Sequence, residues 1–275
     1  MIRPSARAAA RPGTPPVPPF IAVFAARERA RALARAAFPR RRSRVVLART
    51  AEEFSLAFRR HLVDAALVDF GAGAEEAWRA AALAREFPSA PFFAILPLRV
   101  ADGPTLARCS AEDFADVVVE GVDDGAVRDI VVPHLFSARF ARALNEPPPS
   151  LSLDTPMQQA AWRCVVAHAG RLVRTETLAK EVGVTREHLS RTFSASGAPN
   201  LKRVIDLVRL VAAAELAKNP GYDIRDVASV LGFASSSHLS STAQRVVGTK
   251  PASLSRLRAA DLIERFTHGR ARTRA

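Results

Sequence analysis

Apolar and polar positions follow two alternating patterns over residues 20–144. Short apolar runs of strand length are each followed by a segment in which apolar residues recur every three or four positions. Runs that are apolar at nearly every position are typical of parallel strands covered by helices on both faces. The apolar runs span residues 20–24, 43–48, 63–70, 91–97 and 115–120. The helical segments span residues 26–38, 50–61, 75–87 and 123–144, and residues 101–114 are expected to be only partly helical.

This order of strands and helices predicts an α/β domain over residues 20–144, built on a five-stranded parallel sheet. Five strand–helix units in a segment of this length favour a doubly wound sheet of the flavodoxin-like type. Thr50 stands immediately before the second helical segment, and Glu53 follows at the reciprocal position of a capping box.

Three consecutive prolines at residues 147–149 interrupt the chain after this domain. Proline cannot continue a helix and stiffens the backbone, so we predict a linker over residues 145–155. Beyond it, residues 156–260 contain only short helical segments, which predicts a separate all-α domain. The proline-rich residues 1–19 predict a disordered tail, and the arginine-rich residues 261–275 predict a basic tail without fixed structure.

The all-α region contains a first pair of short amphipathic segments within residues 175–194. Gly183 separates them and can adopt the left-handed backbone of a tight turn, while Thr185 is placed to cap the second segment. Two short helices joined in this way form a helix-turn-helix, whose second helix lies in the major groove of DNA. The apolar inner positions are Leu178, Ala179 and Val182 in the first segment and Leu189 and Phe193 in the second.

A second pair of segments repeats this pattern within residues 224–247, with Gly232 at the turn. The linking segment, residues 201–218, predicts a helix of roughly 25 Å at ~1.5 Å per residue. A helix of that length is suited to placing two reading helices about one DNA turn apart, ~34 Å. Its predicted apolar side consists of Val204, Leu207, Val208, Val211 and Leu216.

The charge is concentrated in the half of the chain that contains these repeats. The whole chain has a net charge of +13, and residues 156–275 hold 19 Lys and Arg against 9 Asp and Glu. Residues 1–155 hold 21 against 18. Since Lys and Arg neutralise phosphates and release counterions, the excess favours double-stranded DNA as the partner of the C-terminal domain.

Residues 158–257 resemble the DNA-binding domain of the AraC/XylS family of transcription regulators. This resemblance implies a sequence-specific DNA-binding regulator. The sequence departs from the family pattern in the second reading helix, where Ser241 and Ala243 replace the usual Arg and Phe. We therefore expect the second unit to pack more loosely. The matching residues are Leu178, Ala179, Leu189, Ser190, Arg191 and Phe193 (with Thr185 for the family's Ser), then Arg209 and Leu210, then Ile224, Val227, Ala228, Gly232, Phe233 and residues 248–251.

Candidate DNA contacts follow from position on the two reading helices. We expect Arg191 to contact a guanine edge, with an ion pair inside the domain as the alternative. His188 and His238 precede the inward leucines, and we expect both to be partly buried packing residues, with a contact to DNA as the alternative. The expected base-facing residues are Arg186, Glu187, Ser190 and Arg191 in the first helix and Ser236, Ser237, Ser240 and Ser241 in the second, with Arg245 and Lys250 expected at phosphates.

The N-terminal domain resembles a degenerate receiver domain of a response regulator. Asp69 stands where the phosphoacceptor aspartate is expected, at the end of the third strand. The acidic metal ligands are replaced by Ala25 and Ala26, the hydroxyl residue by Leu96 and the lysine by Glu120. We therefore expect Asp69 to be structural and the domain to serve dimerisation, partner binding or effector binding. The alternative is a response regulator controlled by phosphorylation of Asp69.

Other classes of function find little support in the sequence. Cys109 and Cys164 lack the spacing of a metal site, and no apolar run reaches the ~18–20 residues of a membrane span. We expect no cofactor, no bound metal and no enzymatic activity. The expected location is the bacterial cytoplasm, and the candidate partners besides DNA are RNA polymerase and a second copy of the chain. The remaining rival is an interaction protein that has lost DNA binding through its serine-rich second unit.

Overall fold

The computed structural model describes residues 17–71, 74–194 and 197–273. The expected disorder of residues 1–19 falls mainly on residues 1–16, which lie outside the described residues. Residues 17–19 lead into the first strand, and the Pro19 carbonyl accepts a hydrogen bond from the Arg44 amide.

The N-terminal domain is built on a parallel five-stranded sheet, as the sequence predicts. The strand order is β2-β1-β3-β4-β5, which is the order of flavodoxin-like doubly wound sheets. The strands are β1 (Phe20–Phe24), β2 (Arg44–Ala48), β3 (Ala65–Asp69), β4 (Phe92–Leu96) and β5 (Asp116–Val119).

Successive residues of the central strands point to opposite faces of the sheet, so each face has its own core. On one face, Ala22 and Val68 pack with helices α2 and α3. On the other, Val23 and Leu67 pack with α1 and α6. The helices of this domain are α1 (Glu28–Ala37), α2 (Ala51–Arg60), α3 (Ala74–Ala81), α4 (Leu83–Glu86), α5 (Gly103–Ala111), α6 (Val127–Val131) and α7 (Phe136–Ala143).

The prediction of a single closing helix over residues 123–144 is wrong, because the segment forms two helices. Pro133 lies in a 3-10 turn, Val132–His134, that separates α6 from α7, because proline cannot donate the hydrogen bond of a helix interior. The predicted helix over residues 75–87 is likewise divided at Ala82 into α3 and α4. The capping residue Thr50 does accept from the Glu53 amide, while the Glu53 carboxylate accepts from the Arg49 amide.

The expected linker is packed rather than extended. Leu151 and Leu153 are buried in the same apolar core as Phe136 and Phe140 of α7 and Trp162 of the next helix. The indole of Trp162 donates to the Leu144 carbonyl at 2.9 Å. The three prolines thus end the α/β sequence pattern, but α7 belongs to the core of the C-terminal domain.

The C-terminal domain is all helical, as predicted, and α11 runs through its centre. Most of α11 is buried, including Asp206 and Arg209, so the expectation of one apolar side understates its burial. Its helices are α8 (Pro156–Ala167), α9 (Thr175–Val182), α10 (Arg186–Phe193), α11 (Leu201–Leu216), α12 (Ile224–Val230), α13 (Ser236–Val247) and α14 (Ala259–Thr273).

The prediction of a basic tail without fixed structure over residues 261–275 is also wrong for residues 261–273, which lie in helix α14. Helix α14 continues to Thr273 and buries Leu262, Ile263 and Phe266 in the domain core. The Arg203 guanidinium lies 5.1 Å from the Phe266 ring centroid. Burial of this apolar stripe holds a segment whose arginines had suggested disorder.

Candidate nucleic-acid interface

The first helix-turn-helix unit has the geometry that its sequence predicts. Gly183 ends α9 with a φ of 82°, a left-handed backbone that favours glycine. The Val184 amide donates to the Ala179 carbonyl at 2.9 Å and closes the turn. The Thr185 hydroxyl then accepts from the His188 amide at 3.2 Å, which caps α10. Leu178, Ala179, Leu189 and Phe193 are all buried, so the pair of helices is fixed by its inner face.

Helix α10 presents an exposed face that contains every predicted contact residue of the first unit, namely Arg186, Glu187, Ser190 and Arg191. Arg186 is held by Glu176 of α9 at 3.2 Å. Arg191, by contrast, has no ion pair or hydrogen bond among the residues that the structure describes. The alternative of an ion pair inside the domain is therefore not realised there, and its guanidinium remains available to a ligand.

The second unit repeats the turn of the first with matching hydrogen bonds. Gly232 has a φ of 68°, and the Phe233 amide donates to the Ala228 carbonyl at 2.8 Å. The Ser235 hydroxyl accepts from the His238 amide at 3.1 Å and caps α13. The equivalence of the two units that the sequence spacing suggests is thus present in the backbone.

Two of the serines of α13 donate hydrogen bonds to carbonyl oxygens of their own helix. The Ser240 hydroxyl donates to the Ser236 carbonyl at 2.9 Å, and the Ser241 hydroxyl donates to the His238 carbonyl at 3.1 Å. Such back-bonding leaves the hydroxyl oxygen as an acceptor only. Ser237 and Ser241 are exposed, while Ser236 and Ser240 are half-buried, so only part of the predicted serine surface is open to DNA.

The two histidines of the reading helices differ from the expectation of partly buried packing residues, since both His188 and His238 are exposed. His238 lies edge-on to Phe233, with ring centroids 5.7 Å apart, and its Nδ1 accepts from the Ala234 amide at 3.4 Å. In neutral His238 the proton is then on Nε2, which leaves that nitrogen as an outward donor. We therefore add both histidines to the candidate contact residues.

The expected loose packing of the second unit is not observed. Ala243 is buried at the position where the family usually has Phe, and its neighbour Thr242 is buried too, while Ser241, at the position of the family's Arg, is exposed. Arg209 of α11 lies with its guanidinium 3.8 Å from the Phe233 ring centroid and donates to the Leu231 carbonyl at 3.1 Å. Burial lowers the pKa of Arg209, against the opposing effect of Asp206. The arginine of the linking helix thus anchors the turn, a role that sequence reasoning missed.

The two predicted phosphate contacts lie at and just after the C-terminal end of α13. Arg245 is half-exposed and pairs with Asp206 at 2.9 Å, which orients its guanidinium. Lys250 is exposed just after Gly248 ends α13 with a φ of 65°. Their contact with phosphates stays a prediction.

Asp69 lies at the carboxyl end of β3, fully buried and bound to a cation that the chain itself supplies. Arg27, two residues after Ala25, forms an ion pair with Asp69 and donates from Nε to both of its carboxylate oxygens at 3.0 and 3.2 Å. Two further nitrogens of Arg27 reach the Glu120 carboxylate at 2.8 Å each. Three strand ends are joined by one guanidinium, and the sequence reasoning identified the two carboxylates but not the arginine.

Both carboxylates favour the charged form of Arg27. Burial opposes that charge, but the hydrogen bonds and negative charges of Asp69 and Glu120 outweigh it and raise the pKa of Arg27. Gly71 provides the space, because a Cβ built there would lie 2.0 Å from the Arg27 Cζ. The arginine therefore occupies, as a permanent cation, the surroundings in which a receiver would hold a metal ion.

The two domains share a contact surface that leaves the predicted contact residues of α10, and Ser237 and Ser241 of α13, exposed. Asp64, fully buried beneath β1, accepts from the Phe20 amide at 2.8 Å and forms an ion pair with Arg171 of the C-terminal domain. On the other side of this surface, the Tyr222 hydroxyl donates to the Phe58 carbonyl at 3.0 Å. The N-terminal domain is thus attached away from the exposed face of α10 and α13.

The C-terminal domain has a recognisable family match. Residues 178–256 match the family described as "Helix-turn-helix domain", a stretch that contains α10 to α13. The region is an AraC-type helix-turn-helix domain, which confirms the resemblance found in the sequence. No curated protein matches the chain.

Solved structures that are similar to the chain over much of its length include two response regulators. Full-length FixJ from B. japonicum is 11% identical, with 82% of this chain and 96% of that chain covered and a TM-score of 0.38. The response regulator StyR is 14% identical, with 70% and 98% covered and a TM-score of 0.35. A likeness this weak supports no argument about function, and the fold of the N-terminal domain is established by its own strand order.

Within the described ranges, no helix combines the length and the apolar character that crossing a bilayer requires. Across the same ranges, no group of three or more His, Cys, Asp or Glu side chains is arranged to hold a metal ion.

Proposed function

We propose that this protein is a sequence-specific DNA-binding transcription regulator whose N-terminal domain does not work by phosphorylation. The observation that carries the proposal is the pair of equivalent helix-turn-helix units with open reading faces in the more basic half of the chain. A regulator of this kind acts where the chromosome lies, in the bacterial cytoplasm. RNA polymerase and a second copy of the chain, bound through the N-terminal domain, remain predicted partners.

In this proposal the first unit reads the sequence and the second mainly positions the protein. The guanidinium of Arg191, which has no partner among the described residues, is suited to a bidentate contact with guanine, the commonest specific contact in the major groove. The short, back-bonded serines of α13 offer acceptors that suit water-mediated contacts. Arg245 and Lys250 hold phosphates and fix the register of the complex.

Binding of Arg191 to a base has a direct test. Fragments bound by the full-length protein are first selected from genomic DNA, and Arg191→Ala is then compared with wild type by fluorescence anisotropy. We expect specific affinity to fall by ~1–3 kcal/mol, while nonspecific binding changes little. Arg41→Ala, which removes an exposed charge in the loop after α1, is the control and should bind as wild type does.

Two results would contradict the proposal at different levels. Unchanged specific affinity of Arg191→Ala would remove that residue from base recognition but leave DNA binding intact. Failure of wild type to prefer any fragment over competitor DNA would favour the rival function, an interaction protein without sequence-specific binding.

The second candidate function, regulation through phosphorylation of Asp69, is disfavoured by Arg27. Phosphoryl transfer to a receiver aspartate uses a hard divalent cation, and here a guanidinium already fills that place. We expect no Mg²⁺-dependent labelling of the protein by a small phosphodonor, measured by intact mass. Labelling that disappears in Asp69→Asn would establish the alternative instead.

A further inference from the structure

A cavity of about 250 Å³ lies where α7 meets α11 and the first residue of α14. Drug-sized ligands occupy pockets of ~300–1,000 Å³, so this volume suits a more compact organic molecule. The cavity joins the last helix before the proline-rich segment to the helix that connects the two reading units. Its lining consists of Phe136, Arg139, Phe140, Ala143, Leu144, Val211, Glu215 and Ala259.

The wall of the cavity is apolar except for two charged residues, which differ in how well they are satisfied. Glu215 pairs with Lys218 at 2.7 Å. Arg139 is exposed at the cavity and donates one N–H to the Ser89 carbonyl at 2.6 Å, but in the described part of the chain no carboxylate forms an ion pair with it. Burial lowers the pKa of Arg139, with Glu215 acting in the opposite direction. Among the described residues, no acceptor is found for the other four of the five N–H groups of this guanidinium, which face solvent or a ligand.

We propose that this cavity binds a small carboxylic acid with a compact aromatic or branched body. The carboxylate pairs with Arg139, which forms no direct ion pair with any described residue, and the apolar body lies against Phe136, Phe140 and Val211. Charge complementarity selects the acid over neutral molecules of the same shape, since charge-assisted hydrogen bonds are about twice as strong as neutral ones. The bound molecule contacts α7 and α11 together and so stabilises the arrangement of the domain around its reading helices.

The test measures binding by the full-length protein without DNA, so its result is independent of the DNA-binding proposal. The probes are 3-phenylpropanoate and 4-methylpentanoate, compared with the neutral 3-phenylpropan-1-ol, by calorimetry at fixed ionic strength. Arg139→Gln removes the charge but keeps the apolar wall. Arg142→Gln is the matched control, because Arg142, like Arg139, is an exposed arginine of α7 that donates to a backbone carbonyl, that of Pro133, but it does not line the cavity.

A second variant tests the cavity itself. Ala143 is exposed at the rim, so Ala143→Phe fills the cavity without disturbing the core. We expect wild type and Arg142→Gln to bind at least one acid at least tenfold more tightly than the alcohol. We expect Arg139→Gln to lose that preference and Ala143→Phe to lose binding. Absence of binding by both acids, equal binding of acid and alcohol by wild type, or tight binding that survives either variant would overturn the proposal.

Discussion

Arg27 supplies the positive charge that neutralises the buried carboxylates of Asp69 and Glu120. In a receiver domain a metal ion supplies the positive charge at this place. The guanidinium of Arg27 lies between Asp69 and Glu120, whose side chains are almost completely buried. Removing one partner from a buried ion pair costs about 3–5 kcal/mol, because the remaining charge stays desolvated. The site is therefore stable as it stands and has little tolerance for exchange of any of the three residues.

Gly71 offers a way to test this arrangement without removing a charge. In Gly71→Ala the new methyl group occupies the place of the guanidinium, so Arg27 must withdraw from Asp69. We expect the free energy of unfolding to fall by roughly 1–3 kcal/mol, measured by urea denaturation.

Gly103→Ala is the matched control, since a Cβ at Gly103 has nothing within 4 Å and its backbone is helical. There the loss of unfolded-state freedom should leave stability unchanged or raise it by up to ~1 kcal/mol. Equal stability of the two variants would mean that Arg27 does not need the space above Gly71.

Sequence reasoning located the two acidic residues but not the arginine between them. Arg27 lies 42 positions from Asp69 and 93 from Glu120, and only the closing of the sheet brings the ends of β1, β3 and β5 together. The same limit applies to Arg209, whose contact with Phe233 depends on how α11 crosses the second turn. Short-range features, such as Gly183 and the Thr185 cap, were predictable because their causes lie within a few residues.

Helix α7 belongs by sequence to the first domain and by packing to the second. A fragment of residues 135–275 keeps Phe136 and Phe140, whereas a fragment of residues 145–275 loses both and also Leu144. Burying one phenylalanine contributes ~1.5–3 kcal/mol, so we expect the shorter fragment to unfold at a clearly lower urea concentration. Trp162 is the only tryptophan in either fragment, and its fluorescence reports the transition. Coincident midpoints would show that α7 is dispensable to this core.

At the level of elements, the sheet and the short helices were predictable from periodicity. The residues at which helices begin and end were less predictable. Pro133 indicated the break between α6 and α7, but the apolar pattern around it favoured one continuous helix. In α14, Leu262, Ile263 and Phe266 have the spacing of a helix face, but the surrounding arginines favoured disorder. Both errors arise where the residue composition and the spacing of apolar positions indicate different structures. The stereochemistry of proline decided the first case, and burial of the apolar face decided the second.

At the scale of the whole molecule, the two domains are joined through more than a linker. Besides the Asp64–Arg171 ion pair, Asn219 accepts from the Ser89 amide at 2.8 Å, and Arg59 pairs with Asp226 at 3.1 Å. The Tyr222 ring packs against Phe87 with centroids 4.8 Å apart. With this surface formed, the contact residues of α10 and part of those of α13 are already exposed, so we expect binding to DNA to require no prior separation of the domains.

Several of these contacts end on main-chain oxygens of the N-terminal domain. Tyr222, Arg171 and the Gly221 amide reach the carbonyls of Phe58, Leu62 and Glu86, respectively. A carbonyl is present whatever side chain the residue carries, so sequence drift in the N-terminal domain leaves these acceptors in place. The attachment of the two halves can thus outlast divergence that would erase a surface built from paired side chains.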